Sequence, residues 1–277
     1  MENKAILYLI PTPIGNLSDI TERSLETLRK VDLILCEDTR ETSKLLQFYG
    51  IQNKLVSCHE YNEEKVKTKV LEYLNSGLNV GLVTDQGTPL ISDPGYKIVD
   101  YIVEHHFSVV SLPGATAFVP ALTISGLPPQ PFLFYGFLSS KEIQQKKELQ
   151  SLQYFPYTMI FYEAPHRIMK TLLCMQQVLG DRRICIVREI SKKFETAYYG
   201  TFSTVMEELT LKGEFVIVVD GVHKKQNFDN LSIVEHVELY KNDGITTNEA
   251  IKMVAKERNL SKAVVYQEYH QLKDTDK

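Results

Sequence analysis

The sequence predicts a two-domain α/β protein: a mostly parallel sheet, then a mixed sheet, then a small helical tail. Three observations carry this. From residue 5 to about 125, short β-branched runs alternate with helix-period segments in five successive βα units, the pattern of a parallel sheet covered on both faces. At Gly126-Leu-Pro-Pro-Gln-Pro131, three prolines in four positions stop any helix and make a stiff linker. Beyond it, strands return, some joined too briefly for crossovers, so the second sheet is expected to be mixed or antiparallel. Domains are therefore expected at 1–125, 126–222 and 223–277, and 277 residues suffice to bury two cores.

The elements follow in order. Ala5–Ile10 is a strand, and Asp19 or Thr21 opens a helix through Lys30. Asp32–Cys36 is a second strand, with a helix over Thr42–Tyr49 that ends at Gly50. Lys54–Ser57 is a third, and Glu63–Asn75 a helix closed by Gly77. Val80–Val83 reads as a buried central strand; Asp93 then suits a helix cap and Pro94 a first helical position, ahead of Ile98, Val99, Ile102 and Val103. Ser108–Leu112 is the fifth strand, with a helix after Pro113-Gly114.

In the second domain Phe132–Phe137, Tyr157–Tyr162, Arg183–Arg188, Ala197–Thr201 and Phe215–Asp220 read as strands. Lys141–Gln153, His166–Leu179 and Ser203–Leu211 read as helices. After a polar stretch from His223 to Asn230, Leu231–Tyr240 is a helix broken at Asp243-Gly244. Thr246 and Glu249 then spell a capping box, with Ala250, Ile251, Val254 and Ala255 facing inward. Asn259 ends that helix. Ser261 caps the last one, whose apolar contacts are expected from Ala263, Val264, Tyr266 and Tyr269. The tail resembles a helix-turn-helix, but residues 223–277 hold nine Lys/Arg against nine Asp/Glu, so packing or dimerisation suits it as well as nucleic acid does.

Composition narrows the function classes. A net charge of −4 leaves any nucleic-acid contact to a local basic patch. Cys36, Cys58, Cys174 and Cys185 are widely spaced, with no CxxC pair and no clustered histidines. That argues against a metal site or a disulfide framework and for reduced thiols in a cytosol. The apolar run at Ala5–Ile10 is too short for a signal-peptide core, and no run approaches membrane-spanning length. A cytoplasmic protein without membrane or metal is expected.

Chemistry is expected at the carboxyl ends of the parallel strands, where open α/β sheets bind ligands. Four loops fall there: Pro11-Thr-Pro-Ile-Gly-Asn16, Cys36-Glu-Asp-Thr-Arg40, Asp85-Gln-Gly-Thr-Pro89 and Pro113-Gly-Ala-Thr-Ala117. In the third, Gly87 permits close backbone approach while Asp85 and Thr88 offer hydrogen bonds. The second domain adds Tyr162-Glu-Ala-Pro-His-Arg167 and Arg188-Glu-Ile-Ser-Lys-Lys-Phe-Glu195. Dinucleotide, phosphate-loop and nucleophile-elbow motifs are absent.

Taken together these segments resemble the small-subunit ribosomal RNA methyltransferases of the tetrapyrrole-methylase fold family, the class III methyltransferases. The likeness rests on Leu9–Thr21, Cys36-Glu-Asp-Thr-Arg40, His59-Glu-Tyr-Asn-Glu63, Asp85–Gly95, Leu112-Pro-Gly-Ala-Thr116, Glu163-Ala-Pro-His-Arg167 and Arg188-Glu-Ile-Ser-Lys192, in order along nearly the whole chain. It implies methyl transfer from S-adenosyl-L-methionine to the ribose 2′-hydroxyl of a cytidine in the decoding region of 16S rRNA, and a homodimer. It also implies a cofactor folded between the domains, flanked by Pro11, contacted by Asp85, Gly87 and Thr88, covered by Thr116 and Ala117, and closed over by Tyr162. One departure is the first loop, where Pro11 and Pro13 stand in place of the glycine-rich G-x-G-P-G-D of tetrapyrrole enzymes. That disfavours a porphyrin substrate.

A ribose hydroxyl is a poor nucleophile and gains from a base or a cation beside the incipient alkoxide. Glu37, Arg40, Glu189 and Lys192 are the candidates, with Glu195 behind them; ion pairs across the domain seam are the competing reading. For RNA, Lys141, Lys146 and Lys147 share one helix, Arg182, Arg183 and Lys193 lie in the same domain, and Arg167 suits a phosphate. Tyr154, Tyr157, Tyr198 and Tyr199 offer stacking faces or core packing. Alternatives are a tetrapyrrole or diphthamide-precursor methylase, a non-catalytic RNA-binding factor, and a nucleotide-dependent hydrolase.

Overall fold

The computed structural model describes residues 5–222, 231–242 and 245–275, the side chains of 271–275 excepted. Five parallel strands, β1 (Ile6–Leu9), β2 (Leu33–Cys36), β3 (Leu55–Ser57), β4 (Val80–Leu82) and β5 (Ser108–Ser111), form the first sheet in the order β3-β2-β4-β1-β5. Its helices are α1 (Glu22–Lys30), α2 (Thr39–Phe48), α3 (Glu63–Asn75), α4 (Tyr96–Glu104) and α5 (Phe118–Ile124). β2 and β4 are wholly buried and β1 alternates buried with half-buried residues, because helices cover both faces, which is why these strands read as apolar runs. One face buries Leu7, Leu35, Val70 and Ile102, the other Ile10, Leu28 and Ile34. The chain reverses direction across the sheet between β1 and β4, which puts a ligand-binding crevice outside their carboxyl ends.

The second sheet runs β6-β7-β10-β8-β9, from β6 (Phe132–Phe137), β7 (Thr158–Glu163), β8 (Arg183–Arg188), β9 (Thr196–Thr201) and β10 (Phe215–Val219). β6 and β7 are parallel across α6 (Glu142–Ser151), and the remaining pairs are antiparallel. It is mixed, as the short links require. α7 (Ile168–Leu179) and α8 (Phe202–Glu208) cover one face over Phe161, Leu172 and Phe202. The other face packs Ile160, Val187 and Val216 against Ile14 and against Ala121 and Leu122 of α5, so both sheets share a core. They belong to one compact unit, separated from a second between Val222 and His223.

Four local expectations shift. α2 starts at Thr39 rather than Thr42, because Asp38 accepts from the Arg40 N–H at 2.8 Å and caps it. α4 starts at Tyr96, and its first N–H groups are met from another helix: Glu63 Oε1 accepts from Gly95 N at 2.9 Å and Lys97 N at 3.0 Å. Asp93 is thereby released from capping. In the tail, α9 (Ile233–Asn242), α10 (Thr247–Glu257) and α11 (Lys262–Thr275) surround Val237, Ile251, Val254, Val265 and Tyr269. The Thr246 hydroxyl donates to Glu249 Oε2 at 2.7 Å instead of accepting from the backbone, so the capping box does not close. On α11, Val265 and Tyr269 face inward while Ala263, Val264 and Tyr266 are exposed. The expected polar stretch His223–Asn230 and the break at Asp243-Gly244 lie outside the described residues. No described helix is long and apolar enough to cross a membrane.

Candidate active site

Loops at the carboxyl ends of β1, β2, β4 and β5 are stapled to one another by specific bonds. Thr12 and Gly87 exchange backbone hydrogen bonds of 2.9 and 3.1 Å, and the Thr12 hydroxyl reaches Thr84 O at 3.1 Å. Gly87 holds φ near +86°, a conformation that a side chain resists. Asp85 Oδ1 accepts from Asp38 N at 3.2 Å, and Thr88 Oγ1 donates to Ala115 O at 2.9 Å. Four separate turns thus become one rigid edge.

Between that edge and the second sheet lies a cavity of about 490 Å³. Ile14, Ile91, Phe137, Ile190, Phe215 and Val216 supply its apolar wall, and Tyr162 its phenol. The Tyr162 hydroxyl accepts from Phe118 N at 3.2 Å, and burial pushes its pKa up to about 12, so it stays protonated. Five carboxylates line the cavity, Glu37, Asp85, Asp93, Glu163 and Glu214, with no Lys or Arg among the lining residues. Burial, then the charges of Glu37 and Asp85, lift the Asp93 carboxyl to about 6, while the Thr84 hydroxyl offsets part of the rise. Glu37 is raised by desolvation and by Asp85, with His59 opposing. Asp85 is raised by desolvation and by Asp38 and Glu41. Among the described residues no Lys or Arg pairs with any of the three. A positively charged ligand would relieve all of them at once.

The second lobe treats its acids differently. Glu163 is fully buried and accepts from Arg167 Nε at 2.5 Å, Thr171 Oγ1 at 2.6 Å and Ala164 N at 2.7 Å. Lys192 Nζ bridges Glu189 Oε1 at 3.1 Å and Glu214 Oε2 at 2.8 Å. Burial alone would raise Glu189, but the Glu214 backbone N–H, Lys192 and Arg188 outweigh it and hold the carboxyl below its usual range.

Of the residues singled out in the sequence, Asp85, Gly87, Thr88, Thr116, Ala117 and Tyr162 line the cavity together with Glu37. Pro11 stands outside the lining, packed against Gly114, which has no room for a Cβ. Arg40 is exposed and held by Asp38 at 2.6 Å, also outside the lining. Glu189 and Lys192 stand one layer back and reach the wall through Glu214.

Among the basic residues, Arg167 is engaged by Glu163. Lys141 precedes α6, and the exposed Lys146 and Lys147 lie further along it. Arg182 is half-buried, its guanidinium donating to carbonyls of Gln153, Leu179 and Asp220. Arg183 opens β8 whereas Lys193 follows its other end, so the two are separated by at least the strand's six residues, about 17 Å.

Sequence reasoning missed Asp93, Glu214 and Phe137. Asp93 was obscured by a neighbouring proline that reads as a helix start. Glu214 arrives through antiparallel pairing of β10 with β8, where Phe215 faces Arg188, and no local signal announces it. Among the described residues no cluster of acids, histidines and cysteines has metal-site geometry.

A model of the tetrapyrrole (corrin/porphyrin) methylases matches residues 6–206. Ribosomal RNA small subunit methyltransferase I of Bacillus subtilis is 48% identical over 274 residues, covering 96% of this chain and 94% of its own. The protein of the same name from Halalkalibacterium halodurans is 42% identical over 278 residues, covering 98% and 96%. Among solved structures, diphthine synthase superposes with a TM-score of 0.61 at 14% identity over 78% of this chain and 90% of its own. Uroporphyrin-III C-methyltransferase from Thermus thermophilus, complexed with S-adenosyl homocysteine, gives a TM-score of 0.55 at 18% identity over 77% and 97%. At those identities the structural likeness speaks for the fold.

Proposed function

The chain belongs to the tetrapyrrole methylase family, in its small-subunit ribosomal RNA methyltransferase I branch, and from that premise we propose its substrate and the residues that serve it. It is a methyltransferase that uses S-adenosyl-L-methionine. Its acceptor, in this reading, is the 2′-hydroxyl of a cytidine in the decoding region of 16S rRNA, within the small ribosomal subunit. The observation that carries the reading is identity of 48% over almost the full length of a relative bearing that name.

The cavity fits the cofactor chemically. S-adenosylmethionine carries a sulfonium, an ammonium and one carboxylate, a net positive charge, together with an adenine that needs an apolar slot. Asp85, Asp93 and Glu37 are unneutralised acids, and Phe137, Tyr162 and Val216 are apolar or aromatic neighbours. Gly87, Thr88, Thr116 and Ala117 supply close backbone and hydroxyl groups, and Pro11 supports them from behind. Bound there, the cofactor supplies an electrophilic methyl group on a positively charged sulfur.

The chain's own contribution is to orient and to hold a proton. The stapled loop edge fixes the donor side, so approach of a hydroxyl in line with the breaking bond costs little reorganisation. Burial raises the pKa values of Glu37 and Asp93, as it does that of Asp85, and a carboxylate raised in this way is the stronger base for the hydroxyl proton. Arg40, Glu189 and Lys192 then act electrostatically from the rim and the layer behind it. Lys141, Lys146, Lys147, Arg183 and Lys193 belong to the RNA side, whereas Arg167 and Arg182, expected there too, are committed to Glu163 and to backbone carbonyls.

We assign residues 1–125 to donor binding, 126–222 to closure over the donor and the RNA, and 223–277 to a helix-turn-helix-like accessory. A cytoplasmic homodimer completes the reading, with exposed Val119 and Ile124 of α5 as an apolar face suited to a second copy.

The test incubates the protein and tritiated cofactor with 30S subunits, naked 16S rRNA and a tetrapyrrole, followed by nuclease digestion and mass spectrometry. 2′-O-methylcytidine from the rRNA is expected. Label confined to the tetrapyrrole, or absent from all three, overturns the reading.

A further inference from the structure

The turn Glu189–Glu195 between β8 and β9 is anchored more heavily than a hairpin connection requires. Glu189 and Ser191 sit at φ of +54° and +64°, a region that residues with side chains avoid. Such strain persists only where the surroundings over-determine it. Glu189 N donates to Glu214 O at 2.9 Å, and Glu189 Oε1 accepts from Glu214 N at 3.0 Å. Ser191 N donates to Glu195 Oε2 at 2.6 Å, and its hydroxyl reaches across to Asp19 in the first lobe. The Lys192 stem lies on Gly15, leaving no space for a Cβ there. Arg188 Nη1 holds the Phe194 carbonyl at 3.2 Å.

Against this fixed frame two side chains point outward. Phe194 is 63% exposed, a large value for a phenylalanine, and Lys193 is exposed with Nζ 5.7 Å from the centre of its ring. Lys193 has no carboxylate partner among the described residues. Three other cations considered for the site are already paired: Lys192 with Glu189 and Glu214, Arg167 with Glu163, and Arg40 with Asp38. Ile190 of the same turn lines the carboxylate-rich cavity. A polyanionic strand approaching that cavity is repelled by its acids, so it needs an aromatic surface and a cation at the rim.

We propose that the Glu189–Glu195 turn is a rigid arm for single-stranded RNA, on which Phe194 stacks an unpaired base while Lys193 takes an adjacent phosphate. The proposal rests on the ribosomal RNA reading above and adds how the acceptor strand is held. Stacking on an aromatic ring is tolerant of base identity, so the arm positions the strand and leaves selection of the cytidine to the cavity.

The test compares the full-length parent with F194A, F194W and K193Q, using 30S subunits and tritiated cofactor. F194A is expected to raise KM for subunits about tenfold with kcat within about twofold and cofactor Kd unchanged, the size of one lost base stack. F194W is expected to restore KM. As the chain otherwise lacks tryptophan, its fluorescence should be quenched by a short cytidine-containing single-stranded oligoribonucleotide. K193Q is expected to reduce the slope of log KM against log salt by about one. Parental KM in F194A, unquenched F194W, or an F194A protein that loses its dimer or its cofactor affinity overturns the arm. If the parent itself fails to label rRNA, the broader reading fails instead.

Discussion

The two walls of the cavity are both built from carboxylates, yet they do opposite things. On the first-lobe wall, Glu37, Asp85 and Asp93 have no Lys or Arg partner among the described residues, and all three pKa values rise. On the second-lobe wall, Glu163 is closed by Arg167 and two further donors, while Glu189 and Glu214 share Lys192. A buried acid with its partners supplied is part of the scaffold. A group of acids without a paired Lys or Arg is poised for a cationic ligand, and the fold bears their repulsion until it arrives. Residue type alone does not separate the two cases; pairing does.

The largest expected effect lies on the paired wall. E163A strands Arg167 and removes the acceptor for Thr171, so it should cost about 3–5 kcal/mol of stability in urea melts. A loss within 1 kcal/mol would place Glu163 among the ligand-facing acids. On the open wall, D85N should not destabilise the fold at neutral pH, since burial disfavours the ionised Asp85, and should weaken S-adenosylmethionine by about 10- to 100-fold in calorimetry, the cost of one charge-assisted contact. Unchanged affinity would remove Asp85 from the site.

D93N carries the sharpest contrast. Its carboxyl sits at about 6 in the fold against about 3.9 in an unfolded chain. Folding therefore disfavours the ionised form, and the penalty is fully present above pH 6 and gone below about pH 4. D93N should stabilise the protein at pH 7.5 by about 1–2 kcal/mol, allowing for solvent screening, and by nothing at pH 3.5. The parent should bind cofactor more weakly as pH falls through 6, and D93N should flatten that part of the profile. The smallest effect belongs to K192M, at about 1 kcal/mol because Glu214 remains largely solvated.

Much of the fold was legible because it is local. Glu63–Asn75 emerges as a helix with the bounds its periodicity predicts, and the five βα units become the five strands and helices of the first sheet. The misses share a physical origin in distant partners. Asp93 reads as a cap until Glu63, thirty residues away, takes that duty. Ala263, Val264 and Tyr266 read as core until α9 and α10 select the face carrying Val265 and Tyr269. Arg182 and Lys193, close in sequence, are parted by a straight strand.

By itself the sequence determined the alternation of strands and helices, the change at Gly126–Pro131 and the loops that carry polar residues at strand ends. Spacing, turn chemistry and apolar runs act over a few residues and are written in order along the chain. Which carboxylates are neutralised was decided only in three dimensions. A charge responds to burial and to whichever group lies within a few ångströms, and antiparallel pairing brings Glu214 beside Glu189 and Lys192, while the parallel edge gathers Glu37, Asp85 and Asp93 with no cation among them.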